Sequence, residues 1–151
     1  FFVVATLGGC MNGQVAGSDE YSEGVDEMRQ GLEAAEDGLS ALRQDITSAD
    51  GRARLSEGLM TLHLGLDDAE LGMEMMGDDW DQGRGCHGGL DDLSDPLRDE
   101  LRALDEASDG LGDNDPSDDQ AHLETAEEGL HEFEHHLESM ELQMECMRHH
   151  R

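Results

Sequence analysis

The chain contains no lysine. All nine of its basic residues are Arg, set against 38 Asp and Glu, which gives a formal charge of −29 over 151 residues. So few cations leave no surface to neutralise phosphates, which excludes ordinary nucleic-acid binding. Aromatics are scarce too. Beyond Phe1-Phe2 there are only Tyr21, Trp80 and Phe133, too few for a large β-sandwich core or a typical cofactor pocket. Leu, Ile, Val and Phe together make just under a fifth of the chain, a proportion that at this charge verges on disorder. Pattern offsets it. Hydrophobic residues of all kinds reach 36 %, with nine Met among them, and they recur at a spacing that buries a narrow core in about one domain's length of chain.

That spacing is helical. Val25, Met28, Leu32, Ala35, Leu39, Leu42, Ile46 and Ala49 alternate steps of three and four, a heptad stripe. Ser48-Ala49-Asp50-Gly51 then supplies a break and a cap. Leu55, Leu59, Leu62, Leu66, Ala69, Met73 and Met76 repeat the stripe. A third, Leu97, Leu101, Leu104 and Leu111, follows Ser94-Asp95-Pro96, a cap with Pro in the first helical position. The fourth is Leu123, Ala126, Leu130, Phe133, Leu137, Met140, Met144 and Met147. The helices come in pairs: Glu57-Gly58-Leu59 recurs as Glu128-Gly129-Leu130, Glu70-Leu71 as Glu141-Leu142, and Asp37-Gly38-Leu39 as Asp109-Gly110-Leu111. The pattern predicts an all-α fold, an up-down-up-down four-helix bundle built from a tandem αα-hairpin. The first hairpin is expected over 19–78, a linker loop over 79–94 and the second hairpin over 95–151. Glycines inside the helices (Gly31, Gly38, Gly58, Gly65, Gly129) are each expected to cost about 1 kcal/mol against Ala, leaving a bundle of modest stability.

The start of the chain reads as an address. Phe1 to Cys10 is apolar and uncharged, and the sequence turns polar at Asn12. Its apolar run is too short to span a bilayer, so residues 1–9 are expected to be a truncated signal peptide. Leu7-Gly8-Gly9-Cys10 resembles the lipobox of bacterial lipoproteins. The resemblance implies that Cys10 is acylated and becomes the mature N-terminus, which makes the protein exported and membrane-anchored, in the periplasm or on the cell surface. Residues 10–18 then form the lipidated Cys and a flexible tether. The acidic, Lys-free composition also resembles that of proteins from salt-adapted organisms, and self-repulsion predicts that salt stabilises the fold.

Two parallel helices, the second and fourth, bring their Met-rich ends to one pole. Met73, Met76, Met140, Met144 and Met147 sit on the core stripes, where Met packs gaps well, whereas Met75 lies off its stripe. The loop after the second helix carries Cys86-His87, and the fourth helix finishes Cys146-Met147-Arg148-His149. Thioethers and thiolates suit Cu(I), and Cys with His suits zinc. The candidate ligands are therefore Met75, Met76, Cys86, His87, Met144, Cys146, Met147 and His149, with copper ahead of zinc. Two further fates remain open for the thiols: a Cys86–Cys146 disulfide, favoured by an oxidising compartment, and free cysteines.

Other motifs carry less. His131-Glu132-Phe133-Glu134-His135 spells a zinc-protease pattern, but Leu130, Phe133 and Leu137 take the buried face, which leaves His131 and His135 as a weak surface metal pair. Glu128/His131 and Glu132/His135 have the spacing of di-iron bundles, yet also lie off the core. Asp78-Asp79-Trp80-Asp81 and Asp113-Asn114-Asp115 offer oxygens for Ca²⁺ but lack the Gly and terminal Glu of an EF-hand loop, and read as solvated charge. No nucleophile–base set or phosphate loop is present, so no enzyme is expected. Two readings follow: a lipid-anchored protein binding soft metal at one pole, or a non-catalytic structural or partner-binding lipoprotein stapled by a disulfide.

Overall fold

A computed structural model describes residues 17–76, 90–113 and 115–149. They form four helices: α1 (Ser18–Gln44), α2 (Ala49–Met76), α3 (Leu90–Gly112) and α4 (Asp119–His149), the last preceded by a 3₁₀ turn over Pro116–Asp118. No strand occurs among the described residues. Cross-helix contacts fix the topology. Tyr21 near the start of α1 donates to the Met140 carbonyl near the end of α4 at 3.1 Å, while Arg43 at the end of α1 meets Glu127 early in α4. Arg98 early in α3 meets Asp67 of α2 at 3.1 Å, and His63 of α2 meets Asp105 further along α3 at 2.7 Å. Neighbouring helices are therefore antiparallel, and the chain is the up-down-up-down bundle its heptads predict. The four stripes meet in one core, in which Leu59, Leu66, Leu130 and Leu137 are all buried.

The first turn between helices follows from local chemistry. The Asp45 carboxylate accepts from the Thr47 backbone N–H at 3.0 Å and its hydroxyl at 2.6 Å, which stops α1 at Gln44 and holds the Asp45 carboxyl below its ordinary range. Ser48 Oγ then accepts from the Gly51 N–H at 2.9 Å, capping α2 as its sequence predicts. Ile46 and Ala49, read as the end of the first stripe, fall outside α1: Ile46 packs partly buried in the turn, and Ala49 opens α2 exposed. The third helix also departs from expectation. It begins at Leu90, inside the predicted 79–94 loop, and Pro96 lies within it. Pro96 forfeits the bond to the carbonyl four residues back and crowds that carbonyl, yet the helix runs through it, so Ser94-Asp95-Pro96 does not start the helix. Ser94 is buried instead of capping.

Seven of the glycines have a packing role that the helix-propensity penalty alone does not capture. Gly24, Gly31 and Gly38 on α1, and Gly51, Gly58, Gly65 and Gly72 on α2, recur every seventh residue and are all buried along the α1–α2 seam. A Cβ added to Gly58 would lie 2.5 Å from Ala35 N and 2.7 Å from the Gly31 carbonyl. One added to Gly38 would lie 2.5 Å from Leu55 N. Backbone rests on backbone, a distance that permits dispersion and Cα–H···O contacts along the whole seam. Gly17 extends it past the start of α1, with φ at +95°, a value that favours glycine. The second hairpin departs from this plan. The positions equivalent to Gly31, Gly51, Gly65 and Gly72 hold Ala103, His122, His136 and Gln143. Gly129, equivalent to Gly58, faces only the Leu104 side chain. One hairpin is zipped by backbone and the other is packed by side chains.

Arginine ties the hairpins together. Arg29 of α1 grips Glu141 of α4 in a fork, at 3.2 and 2.6 Å, and Arg98 of α3 bridges to Asp67 and Glu70 of α2. Glu70 and Glu141 are equivalent in the repeat, so each hairpin's last helix receives an Arg from the other hairpin.

Candidate functional site

The expected pole exists as a place in the fold. The parallel α2 and α4 end where α1 begins, and a Cβ on Gly17 would lie 2.7 Å from Met75 Cβ. Met76 and Met144 are 4 % and 8 % exposed and belong to the common core with Met73 and Met140. Met75 is 48 % exposed. Cys146 packs partly buried against the core. Cys10, Cys86, His87 and the side chains of Met147 and His149 lie outside the described residues. Of the eight proposed ligands, Met75, Met76, Met144 and Cys146 are therefore the ones with described positions. Met76 and Met144 are core residues, Met75 is exposed and Cys146 is partly buried.

A different cluster assembles at the opposite pole. Asp113 beyond the end of α3, Asp118 at the end of the 3₁₀ turn and His122 in the first turn of α4 hold their ligand atoms within 4.8 Å of one another. Local bonding builds the loop between them. Asp113 accepts from the Asp115 N–H at 3.0 Å, and Asp115 accepts from the Ser117 N–H and hydroxyl, which holds its carboxyl low. His122 Nε2 lies 3.4 Å from Asp118 Oδ2. Its ring occupies the space left by Gly110, where an added Cβ would come 2.5 Å from Nε2. Two carboxylates and one imidazole suit a borderline divalent ion such as Zn²⁺ rather than Cu(I). Asp113 was visible in sequence as part of an acidic loop. The contribution of His122 was not, because it comes from the next helix and through the gap at Gly110.

His131 and His135 are exposed as their stripe predicts, with rings edge to face at 4.8 Å. They form a surface pair one turn apart, on the side away from Leu130, Phe133 and Leu137. The remaining interhelical histidines are structural ties: His63 to Asp105, and His136 to Glu100 at 3.0 Å. Burial raises the Glu100 carboxyl, and His136 opposes that rise.

No helix among the described residues is long and apolar enough to cross a membrane. No protein family, curated protein or solved structure matches this chain.

Proposed function

We propose that this is an exported, lipid-anchored, non-catalytic four-helix protein that binds soft metal, copper ahead of zinc, at the pole where α2 and α4 end. Cys10 carries the lipid. The observation that supports the metal reading is topological: α2 and α4 are parallel, so the helix ends that hold Met75, Met76, Met144 and Cys146 lie at one end of the bundle. The donors are the thioethers of Met75, Met76, Met144 and Met147, the imidazoles of His87 and His149 and, in the reduced protein, the thiolates of Cys86 and Cys146, and Cu(I) is content with soft thioether ligands.

A second reading is favoured by the burial of Met76 and Met144. Here the methionines are core filler and a Cys86–Cys146 bridge staples the two hairpins. Such a link closes a loop of 60 or so residues and stabilises by about 4 kcal/mol in the chain-entropy model.

Cu(I) titration against a competing chelator separates the two readings, run on oxidised protein, reduced protein and the variants Met75→Leu/Met147→Leu and Cys86→Ser/Cys146→Ser. The metal reading expects submicromolar affinity that the methionine pair weakens by about tenfold or more, roughly 1.4 kcal/mol. Micromolar or weaker binding that survives every variant overturns it. A parallel Zn²⁺ titration with His122→Ala assigns any divalent binding to the Asp113–Asp118–His122 cluster instead. Mass analysis of Cys10 in the native host checks the anchor, and an unmodified thiol there would sink it.

A further inference from the structure

Helix α2 has two apolar faces, and the bundle uses only one. Five large hydrophobic side chains are exposed among the described residues. Four of them belong to α2: Met60 at 63 %, Leu64 at 54 %, Leu71 at 50 % and Met75 at 48 %. At 3.6 residues per turn these four fall within about 60° of arc, centred almost opposite the buried stripe, and run for about 22 Å along the axis. Single exposed leucines are ordinary. An aligned run over four turns of one helix is not, and the fold does not require it. In the repeated copy the positions equivalent to Met60 and Leu64 are the polar His131 and His135. The same outward face is mixed in α4, where Leu142, equivalent to Leu71, is also exposed, and is apolar at all four positions in α2.

The stripe has an anionic rim on both sides, Glu57 and Asp68 along one edge, Asp67 and Glu74 along the other, with no Arg in α2 beyond Arg54. Arg98 of α3 pairs with Asp67 and Glu70, and Glu57 and Glu74 are exposed. This rim selects the occupant. A second copy would bring the same acidic rim and a charge of −29 against itself, and an anionic bilayer surface would repel the rim too. A cationic amphipathic helix satisfies both parts of the surface. Its apolar side covers the leucines, its Lys and Arg reach the rim, and the flexible methionines at each end adapt to its side chains. We propose that the outer face of α2 is a docking surface for a cationic amphipathic helix of a partner protein, seated on Met60, Leu64, Leu71 and Met75 between the two acidic edges. This inference rests on neither the lipid anchor nor the metal.

The probe is a synthetic peptide of roughly 18 residues made of Leu and Lys, its leucines spaced to form one helical face, with a scrambled peptide of the same composition as control. Both are titrated calorimetrically into the full, oxidised protein at about 0.15 M salt, where long-range charge is largely screened. The amphipathic peptide is expected to bind at least about tenfold tighter than the scrambled one, and Leu64→Gln/Leu71→Gln to remove that advantage. Leu142→Gln, at the one large exposed hydrophobic outside α2 among the described residues, should leave it intact. The substituted side chains are exposed, so circular dichroism and Tm should match wild type, and Met60→Gln/Met75→Gln gives a second pair with the same expectation. Equal binding of both peptides, or binding that Leu64→Gln/Leu71→Gln leaves unchanged, overturns the proposal in favour of bulk acidity. A dimer in sedimentation, or co-sedimentation with phosphatidylcholine vesicles, that this variant abolishes assigns the face to a second copy or to lipid and overturns it as well.

Discussion

Close helix packing forces like charges together at the edges of the seam. Where α1 and α2 meet, Glu27 and Asp68 share a hydrogen bond, and this bond, with smaller contributions from burial and from the negative charges of Asp68 and Glu23, pushes the Glu27 carboxyl up to about 7. The sign of the linkage follows from that direction. A carboxyl whose folded pKa lies above its unfolded value near 4.5 binds its proton more tightly in the folded state. Its contribution is complete below about 4.5 and is lost as pH rises through about 7. Glu27→Gln keeps a donor to Asp68 at every pH. It should raise Tm at pH 8 by about 1–3 °C, a small shift because solvent screens so exposed a side chain. The gain should vanish near pH 5, and an effect that is equal at both pH values would show that the pair is not sharing a proton. Tyr21 is the opposite kind of residue. Burial raises its hydroxyl far above the ordinary phenol range, and the bond to Met140 satisfies it, so Tyr21→Phe should cost only about 1 kcal/mol.

The repeat provides a matched experiment at the level of the element. Gly58 and Gly129 are equivalent in sequence, yet a Cβ on Gly58 would strike the backbone of α1 at 2.5 Å, while one on Gly129 meets only Leu104 side-chain atoms at 3.0 and 3.2 Å. Backbone cannot yield without parting the helices, whereas a leucine can turn. Gly58→Ala should therefore destabilise by about 1–3 kcal/mol or more. Gly129→Ala should be close to neutral, or stabilise by up to about 1 kcal/mol through helix propensity. Urea denaturation of the two variants decides it, and equal losses would contradict the two modes of packing. The same contrast explains what could be read in advance. The heptads and the Ser48 cap are local signals, and they predicted the helices, their pairing and the shared core. Glycine carries a local penalty whose compensation comes from a partner backbone, so Gly24, Gly51 and Gly72 were invisible as a seam. The start of α3 was misplaced because Pro favours a helix's first turn, and here the helix continues through Pro96 at the local cost of a lost bond. The Asp113–Asp118–His122 cluster needs two helix ends and the gap at Gly110 to come together, and no spacing in the chain announces that.

For the molecule as a whole, repulsion and attraction between charges compete, and the count decides which one salt reveals. With 38 acidic side chains and nine Arg, carboxylates far outnumber the cations that form favourable pairs such as Arg29–Glu141 and Arg98–Asp67. Each partly exposed pair is worth about 0–1 kcal/mol and is itself weakened by salt. Raising NaCl from about 0.1 to about 1 M shortens the screening length from roughly 10 Å to roughly 3 Å, less than the spacing of most neighbouring surface charges, so the repulsive sum collapses before the contact pairs do. Tm should therefore climb with NaCl and level off towards about 1 M, by which point further screening has little left to remove. Lowering the pH from 8 to about 5.5 at low salt should act in the same direction, since Glu27, Glu36 and Glu100 all have carboxyls raised above their ordinary range and take up protons on folding. The two treatments remove the same repulsion, so their effects should not add: the rise on acidification should be smaller at about 1 M NaCl than at about 0.1 M. Thermal melts over this grid of salt and pH, with glycerol in place of salt as a non-ionic control, test the account. A Tm that falls with NaCl, or a pH effect that high salt leaves undiminished, would mean that specific ion pairs rather than net charge govern the stability of the bundle.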